Sequence, residues 1–427
     1  MTTISDHPLR YALANELHAR PFPSVEVPSY AILLAVKEPV DAVGRDRGRD
    51  RTHLLDLLDR NGCAHPAPDA THHFTELGRG SLKWESHTEF VTYTAFQPGR
   101  SDRPFDPAMF DVFPADWLAA APGTRITSVL VRIEAMPDDR KEMLGNVADW
   151  FVGESLACSE VVDGSAVVAS DFRIDSAGHM RFAVFVTPGT GQRRVGRIVQ
   201  RLLEVETYKS MSMLGLARVR QLSARMTELD TRLSTLVADL GAEAQDSEDT
   251  LKALLSISAE LETMLVRSSF RFGATGAYEA IVHQRIEVLR EERLEGRQTF
   301  NEFMMRRYDP AMRTVKAAER RLAALAERAM RAGTLLSTRV DVERSAQNQN
   351  LLASMDARAG VQLRLQRTVE GLSVVAISYY GVGLAVNVAA PLAEPAGLSK
   401  TVVAALLTPV VVVGVWLIIR RIRKHLT

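Results

Sequence analysis

Two stretches near the carboxyl end carry no formal charge: GLSVVAISYYGVGLAVNVAAPL over 371–392 and TVVAALLTPVVVVGVWLII over 401–419. They are 22 and 19 residues long. As helices they would reach roughly 33 and 28 Å, against a hydrocarbon core of about 30 Å. The connection AEPAGLSK has eight residues, so the two must turn back on each other as a tight antiparallel hairpin. Two transmembrane helices, 371–392 and 401–419, are the reading, and the lipid bilayer is the first partner it implies.

Basic residues beside the spans predict an orientation. Arg358, Arg364 and Arg367 precede the first span, and Arg420, Arg421, Arg423 and Lys424 follow the second. The hairpin loop carries only Lys400 and Glu394. Cytoplasmic flanks hold the excess of Lys and Arg, so only the short loop is expected to cross. The opening MTTISDHPLRYALANELHARPF has no apolar stretch of the signal-peptide kind. The expectation is a bacterial inner (cytoplasmic) membrane with both termini cytoplasmic and 420–427 as a basic tail. Trp416 lies near a boundary, where an interfacial anchor would sit. Two cysteines, Cys63 and Cys158, exclude a disulfide scaffold and fit a reducing compartment.

Before the spans the chain changes texture once. Within residues 1–190, the segments 29–36, 81–96, 126–134, 165–170 and 179–186 are rich in β-branched and aromatic residues, which predicts strands. Asp163-Gly164 and Asp175-Ser176-Ala177-Gly178 are turn signals that favour antiparallel neighbours, and 143–153 reads as a helix. The fold class is therefore α+β, with a mixed, mainly antiparallel sheet domain first. Over 191–370 the composition turns helical, with one proline, Pro310, between Arg193 and Glu370. This predicts a long helical bundle and stalk, with helices over 193–240, 248–271, 276–306 and 310–370. The breaks fall at Gly241, at QDSED (245–249), at Gly273–Gly276 and at Tyr308-Asp309-Pro310.

The last of these helices can be counted. Val315, Ala318, Leu322, Leu325, Ala329, Ala332 and Leu336 follow a 3-4 spacing, the seam of a coiled coil. A second seam runs from Ser345 through Asn348, Leu352, Met355, Ala359, Gln362, Gln366 and Val369 into the first span. It continues there as Ser373, Ala376, Tyr380, Gly383, Asn387 and Ala390. Small residues let membrane helices approach, and polar ones bond across. On that reading Ser373, Tyr380, Gly383 and Asn387 form a helix interface. Alternatively they line a pore shared by several copies. A homo-oligomer is the expected assembly.

The segments His7-Pro8-Leu9-Arg10, NELHARPF (15–22), LKWESHTEF (82–90), LLEVETYKSMSMLGLA (202–217) and 347–384 resemble a family of bacterial membrane-anchored proteins with no assigned activity, domain-of-unknown-function family 3422. The resemblance covers essentially the whole chain and implies location and architecture, not catalysis. The layout also resembles CorA-type magnesium channels. In those an α/β domain and a stalk helix precede two C-terminal spans, the first span lines a pentameric pore, and a basic tail lies inside. A divalent cation is the ligand that likeness implies. The sequence departs from it at the outer end of the first span. Those channels carry Gly-Met-Asn there, and this chain has Tyr379-Tyr380-Gly381-Val382-Gly383.

Catalytic and metal motifs are sparse. Half of the ten histidines, His53, His65, His72, His73 and His87, fall between 53 and 87 with Cys63 among them. Imidazole and thiolate are zinc ligands, but no CxxC or HExxH spacing accompanies them. Glu85, His87 and Glu89 alternate as one strand face would, which predicts a solvated face or, alternatively, a polarised imidazole or cation site. His7, His18 and Arg20 form a polar cluster that would dock the amino-terminal segment. The run from Gly189 to Arg194 lacks the GK[ST] of a phosphate loop, and Arg193, Arg194 and Arg197 read as an exposed helix start. No cofactor is implied. Lys and Arg number 52 against 52 Asp and Glu, so no nucleic-acid partner is expected. The expected role is a membrane-anchored interaction or scaffold protein facing the cytoplasm, and the alternative is a CorA-like cation conduit.

Overall fold

The computed structural model describes residues 4–16, 22–39, 44–239, 247–393 and 399–426. His18, Arg20, Gly241 and Glu394 lie outside the described residues. The chain divides into two units, residues 1–244 with 252–333, and residues 245–251 with 334–427. In chain order the elements are α1 (Arg10–Glu16), β1 (Ser29–Lys37), α2 (Arg47–Arg60), β2 (His72–Leu77), β3 (Gly80–Ser86), β4 (Val91–Pro98), α3 (Ala115–Ala119), β5 (Thr124–Ala135) and α4 (Arg140–Trp150). There follow β6 (Ala157–Val161), β7 (Ala166–Ser170), β8 (Met180–Val186), α5 (Gln192–Asp239), α6 (Ser247–Glu287), β9 (Glu292–Arg293), α7 (Phe300–Arg307), α8 (Asp309–Ala393) and α9 (Lys400–Leu426).

Among the described residues the strands form one sheet in the order β2-β3-β4-β1-β5-β8-β7-β6-β9. Every pairing is antiparallel except β5 with β8. The mixed, mainly antiparallel α+β fold expected from the sequence is present. β1 is central and covered on both faces, which is why SYAILLAVK reads as a nearly unbroken apolar run. One face packs Ile32, Leu34, Trp84, Tyr93 and Leu130 against Leu54, Leu57 and Leu58 of α2, Trp117 of α3 and Met143 and Val147 of α4. α5 lies against β1, β5 and β8, burying Val195, Ile198, Val199 and Leu202. That 3-1-3 spacing is one stripe of a helix.

Three expectations are corrected here, the first being the helix expected over 276–306: α6 ends at Glu287, and β9 intervenes before α7 begins at Phe300. The strand expected over 81–96 is two strands, β3 and β4, joined by a turn at 87–90. The break expected at Gly273–Gly276 does not occur, because α6 runs through both glycines. Interior glycine costs a helix about 1 kcal/mol, and neither glycine has a neighbour within 4 Å of a built Cβ; the helix is held by its buried face, Leu254, Ile257, Leu261, Phe272 and Val282. A Cβ on Gly215 of α5 would lie 2.4 Å from the Thr275 hydroxyl, so the Thr275 side chain of α6 packs directly on the α5 backbone. Ser268 and Thr275 are buried there.

His53 holds the apolar face together. Its Nε2 lies 2.9 Å from the Trp117 carbonyl and its Nδ1 lies 3.0 Å from the Tyr93 hydroxyl, with the ring stacked on Trp117 at 3.9 Å. A carbonyl can only accept, so Nε2 carries the proton and Nδ1 accepts from Tyr93. Burial holds the pKa of His53 and of His179 below the ordinary imidazole value. The unfolded chain then binds more protons than the folded one once pH falls below about 6.5. Stability is complete above that value and declines as pH falls through the lowered folded pKa. The melting temperature should drop between about pH 7.5 and 5.5, and drop less in His53→Gln, which has no ring to protonate.

In the second unit, the described residues of α8 from 341 to 359 are all exposed, Leu351, Leu352 and Met355 included. Farther along, the helix packs on α9, burying Ser378, Val386 and Val403. A Cβ on Gly381 would sit 3.0 Å from Val411, so glycine sets how closely the two helices approach.

Candidate functional site

The second face of the sheet turns polar at the β3–β4 end. Alternation sends Leu82 and Trp84 into the apolar core and leaves Lys83, Glu85, Thr92 and Thr94 facing a cavity of about 300 Å³. Gln200, Arg201, Glu204, Thr207 and Tyr208 of α5 and Arg285 of α6 line the opposite wall, with Phe22 at the rim. The Lys83 ammonium is buried and lies 3.0 Å from Glu85, but donates no hydrogen bond of good geometry. Gln200 Nε2 donates to Glu204 Oε1 at 2.7 Å. That bond orients the side-chain amide and leaves its buried Oε1 without a donor. Arg285 donates to the other oxygen of Glu204. Arg201 donates to the Val288 carbonyl at 2.9 Å and has no carboxylate partner among the described residues. Its pKa is lowered from the ordinary arginine value by burial first, then by Arg197 and Arg285, with Glu204 opposing.

Beside the cavity the 87–90 turn is pinned from two sides. Arg45 is buried and donates to the Ser86 hydroxyl at 3.0 Å, to the His87 carbonyl at 2.7 Å and to the Thr88 carbonyl, while its Nε bonds Asp50 at 2.7 Å. Glu89 is 0% exposed. It receives both guanidinium arms of Arg271, one at 2.9 Å, and the Tyr278 hydroxyl at 3.0 Å. Lys37 stands 3.5 Å away. Burial alone would raise the Glu89 pKa, but Arg271, Lys37 and Tyr278 outweigh it and hold the carboxyl below the usual range. The same burial lowers the Lys37 pKa, Glu89 opposing. His87 stacks on Phe90 at 4.2 Å, and Tyr208 stacks on Tyr278 at 5.5 Å.

The solvated face expected of Glu85, His87 and Glu89 is therefore corrected. The strand ends at Ser86, so the alternation stops, and Glu89 becomes the centre of a buried ion cluster. Lys37, Arg271 and Tyr278 had no signal in the sequence, since Arg271 and Tyr278 lie 182 and 189 residues from Glu89. The histidine cluster is dispersed. His53 is structural, His65 pairs with Asp59 at 2.6 Å, and His73 Nε2 lies 3.0 Å from the Ala64 carbonyl. Among the described residues no three His, Cys, Asp or Glu side chains converge as a metal site would. Cys63 bonds the Glu76 carbonyl, and burial pushes the Cys158 thiol up to about 12, which makes it a poor nucleophile.

On α8, Ser373 returns its hydroxyl to the Val369 carbonyl at 2.8 Å. Tyr380, Gly383 and Asn387 are exposed. Together with Ser378, Lys400 and Thr408 they border an open groove of about 930 Å³ beside α9. Arg420 and Arg421 are exposed, and the Arg420 guanidinium lies 5.0 Å from the Trp416 ring centre. The side chains of Arg423 and Lys424 lie outside the described residues. Both α8 and α9 are long and apolar enough to cross a membrane.

A family model described as Protein of unknown function (DUF3422) matches residues 5–426. The chain belongs to the DUF3422 family. No curated protein matches it. In this DUF3422 chain, three of the segments that carried the resemblance meet at one place. Phe22 from NELHARPF, Lys83, Glu85 and His87 from LKWESHTEF, and Leu203, Glu204, Thr207 and Tyr208 from LLEVETYK all border the 300 Å³ cavity.

Proposed function

We propose that this DUF3422 chain is an interaction protein anchored in the bacterial inner membrane by 371–392 and 401–419, with both termini in the cytoplasm. It self-associates through the stalk. The observation that carries this reading is the exposed stretch of α8 from 341 to 359 and its continuation to Leu372. Leu351 and Leu352 are 63% and 64% exposed in the single chain, and Leu365 is 64% exposed. A water-solvated helix of this length draws most of its stability from packing an apolar face. On the seam Asn348, Leu352, Met355, Ala359, Gln362, Gln366 and Val369, the exposed Leu352, Met355 and Val369 supply that face for a second copy, and the amides of Asn348, Gln362 and Gln366 can bond across it. The basic flanks Arg358, Arg364, Arg367, Arg420 and Arg421 support the orientation.

Cysteine cross-linking in native membranes tests the reading, in a Cys63→Ser background. Leu352→Cys lies on the seam and should give covalent dimers or larger species. Ala357→Cys lies on the opposite helix face and should give far less. Equal yields from the two positions, or a monomeric mass in detergent with no cross-linking, would sink the self-association.

A second reading, the cation conduit, has one observation in its favour: Tyr380, Gly383 and Asn387 are exposed on the single chain and so open to a shared axis. Lys400 borders the same groove, and an ammonium there opposes a divalent cation. Protein in liposomes should therefore pass no magnesium. Flux that Asn387→Leu abolishes would promote the conduit over the scaffold.

A further inference from the structure

We propose that the cavity between β3, β4, α5 and α6 binds a small organic oxyanion, a carboxylate or phosphate ester, that also carries a hydroxyl or ammonium donor. The cavity volume of about 300 Å³ lies at the lower end of the range of pockets that enclose small ligands. Its wall is built from several distant parts of the chain, Phe22, β3 and β4, α5 and α6 among them, and holds buried polar atoms left without hydrogen bonds. A buried polar atom in that state is costly unless a ligand or water completes it.

Two such atoms define the chemistry. Gln200 is 9% exposed, and its Nε2 is held by Glu204, so the amide cannot turn. The free Oε1 therefore asks for a donor. Lys83 is 5% exposed, and its ammonium has donors to spare beside Glu85, so it asks for an acceptor. Charge counting then selects the sign. Lys83 is balanced by Glu85 and Arg285 by Glu204, and Arg201 is left as the cation with no carboxylate partner among the described residues. Guanidinium is suited to planar or tetrahedral oxyanions because its donors fork onto two oxygens. Tyr208 and Phe22 supply apolar wall for the carbon skeleton.

Calorimetric titration of the full chain in detergent tests this. The probes are inorganic phosphate, glycerol 3-phosphate, lactate and serine, with glycerol as the neutral control, each at about 10 mM, ten times a millimolar dissociation constant. At least one hydroxyl- or ammonium-bearing anion should bind more tightly than both inorganic phosphate and glycerol. Comparing glycerol 3-phosphate with lactate and serine distinguishes a phosphate from a carboxylate ligand. Arg201→Gln should weaken that probe by about tenfold or more, whereas Arg193→Gln, an exposed arginine at the start of α5, should not. Lys83→Met serves as a second variant, with circular dichroism confirming that each variant is folded. Binding by none of the four, binding of glycerol equal to the best anion, or binding unchanged in Arg201→Gln would overturn the proposal.

Discussion

Arg271→Met should lower the melting temperature of the full chain by on the order of 10 °C, the equivalent of about 3–5 kcal/mol in a domain of this size. The substitution keeps an unbranched apolar stem and removes both donors from Glu89. The carboxylate is then left wholly buried with Tyr278 and, 3.5 Å off, Lys37. Breaking one side of a buried pair is expensive because the partner's desolvation remains uncompensated. Glu89→Gln should be comparably harmful, since it leaves Arg271 and Lys37 as buried like charges. Pairing Arg271→Met with Glu89→Leu should recover a large part of the loss, and the double-mutant cycle measures the coupling. The sign with pH follows from the lowered Glu89 pKa. The cluster stabilises the fold fully above the unfolded carboxyl value of about 4.3 and fails as pH falls through the lower folded value. Thermal melts of wild type and Arg271→Met should therefore differ most near neutrality and converge at strongly acid pH.

The second large effect concerns α9. Val410 and Val413 are 67% and 53% exposed in the single chain and lie near the middle of 401–419. If those side chains face lipid, each arginine costs about 2.5–3.5 kcal/mol on insertion scales, so Val410→Arg with Val413→Arg together oppose insertion by about 6 kcal/mol. If they face water, exposed substitutions of this kind stay within about 0.5 kcal/mol. The variant should consequently disappear from the membrane fraction while the wild type remains there. An unchanged membrane fraction would mean the helix does not lie in lipid.

The parts of this fold that could be read in advance are those fixed by local chemistry. A run without charge over 371–392 needs no partner to be recognised. The doubly covered strand β1 shows itself as a continuous apolar run. Val315, Leu322, Leu325, Ala329 and Ala332 are buried at their counted spacing. The parts that escaped depend on distant partners. β2 reads HHFTEL, too polar to announce a strand, and it exists because β3 supplies its ladder. Glu89 looked solvated because nothing within its own segment offers a counter-charge. Arg271 and Tyr278 come from a helix nearly two hundred residues later, and Lys37 from a strand about fifty residues earlier. Gly273 and Gly276 looked like a helix end, and the burial of Ser268, Phe272, Thr275 and Val282 along the same helix outweighs that local tendency. The cavity combines both cases: Glu85 was visible as part of a polar strand face, while Gln200 and Arg201 were two polar residues in a long helical stretch.

Carbonate extraction of membranes carrying the intact chain tests whether lipid surrounds 371–392 and 401–419. The protein should stay in the pellet at alkaline pH and float with the lipid on a density gradient, and a chain lacking residues 371–427 should be released. Full release of the intact chain by carbonate, or retention of the shortened one, would contradict it.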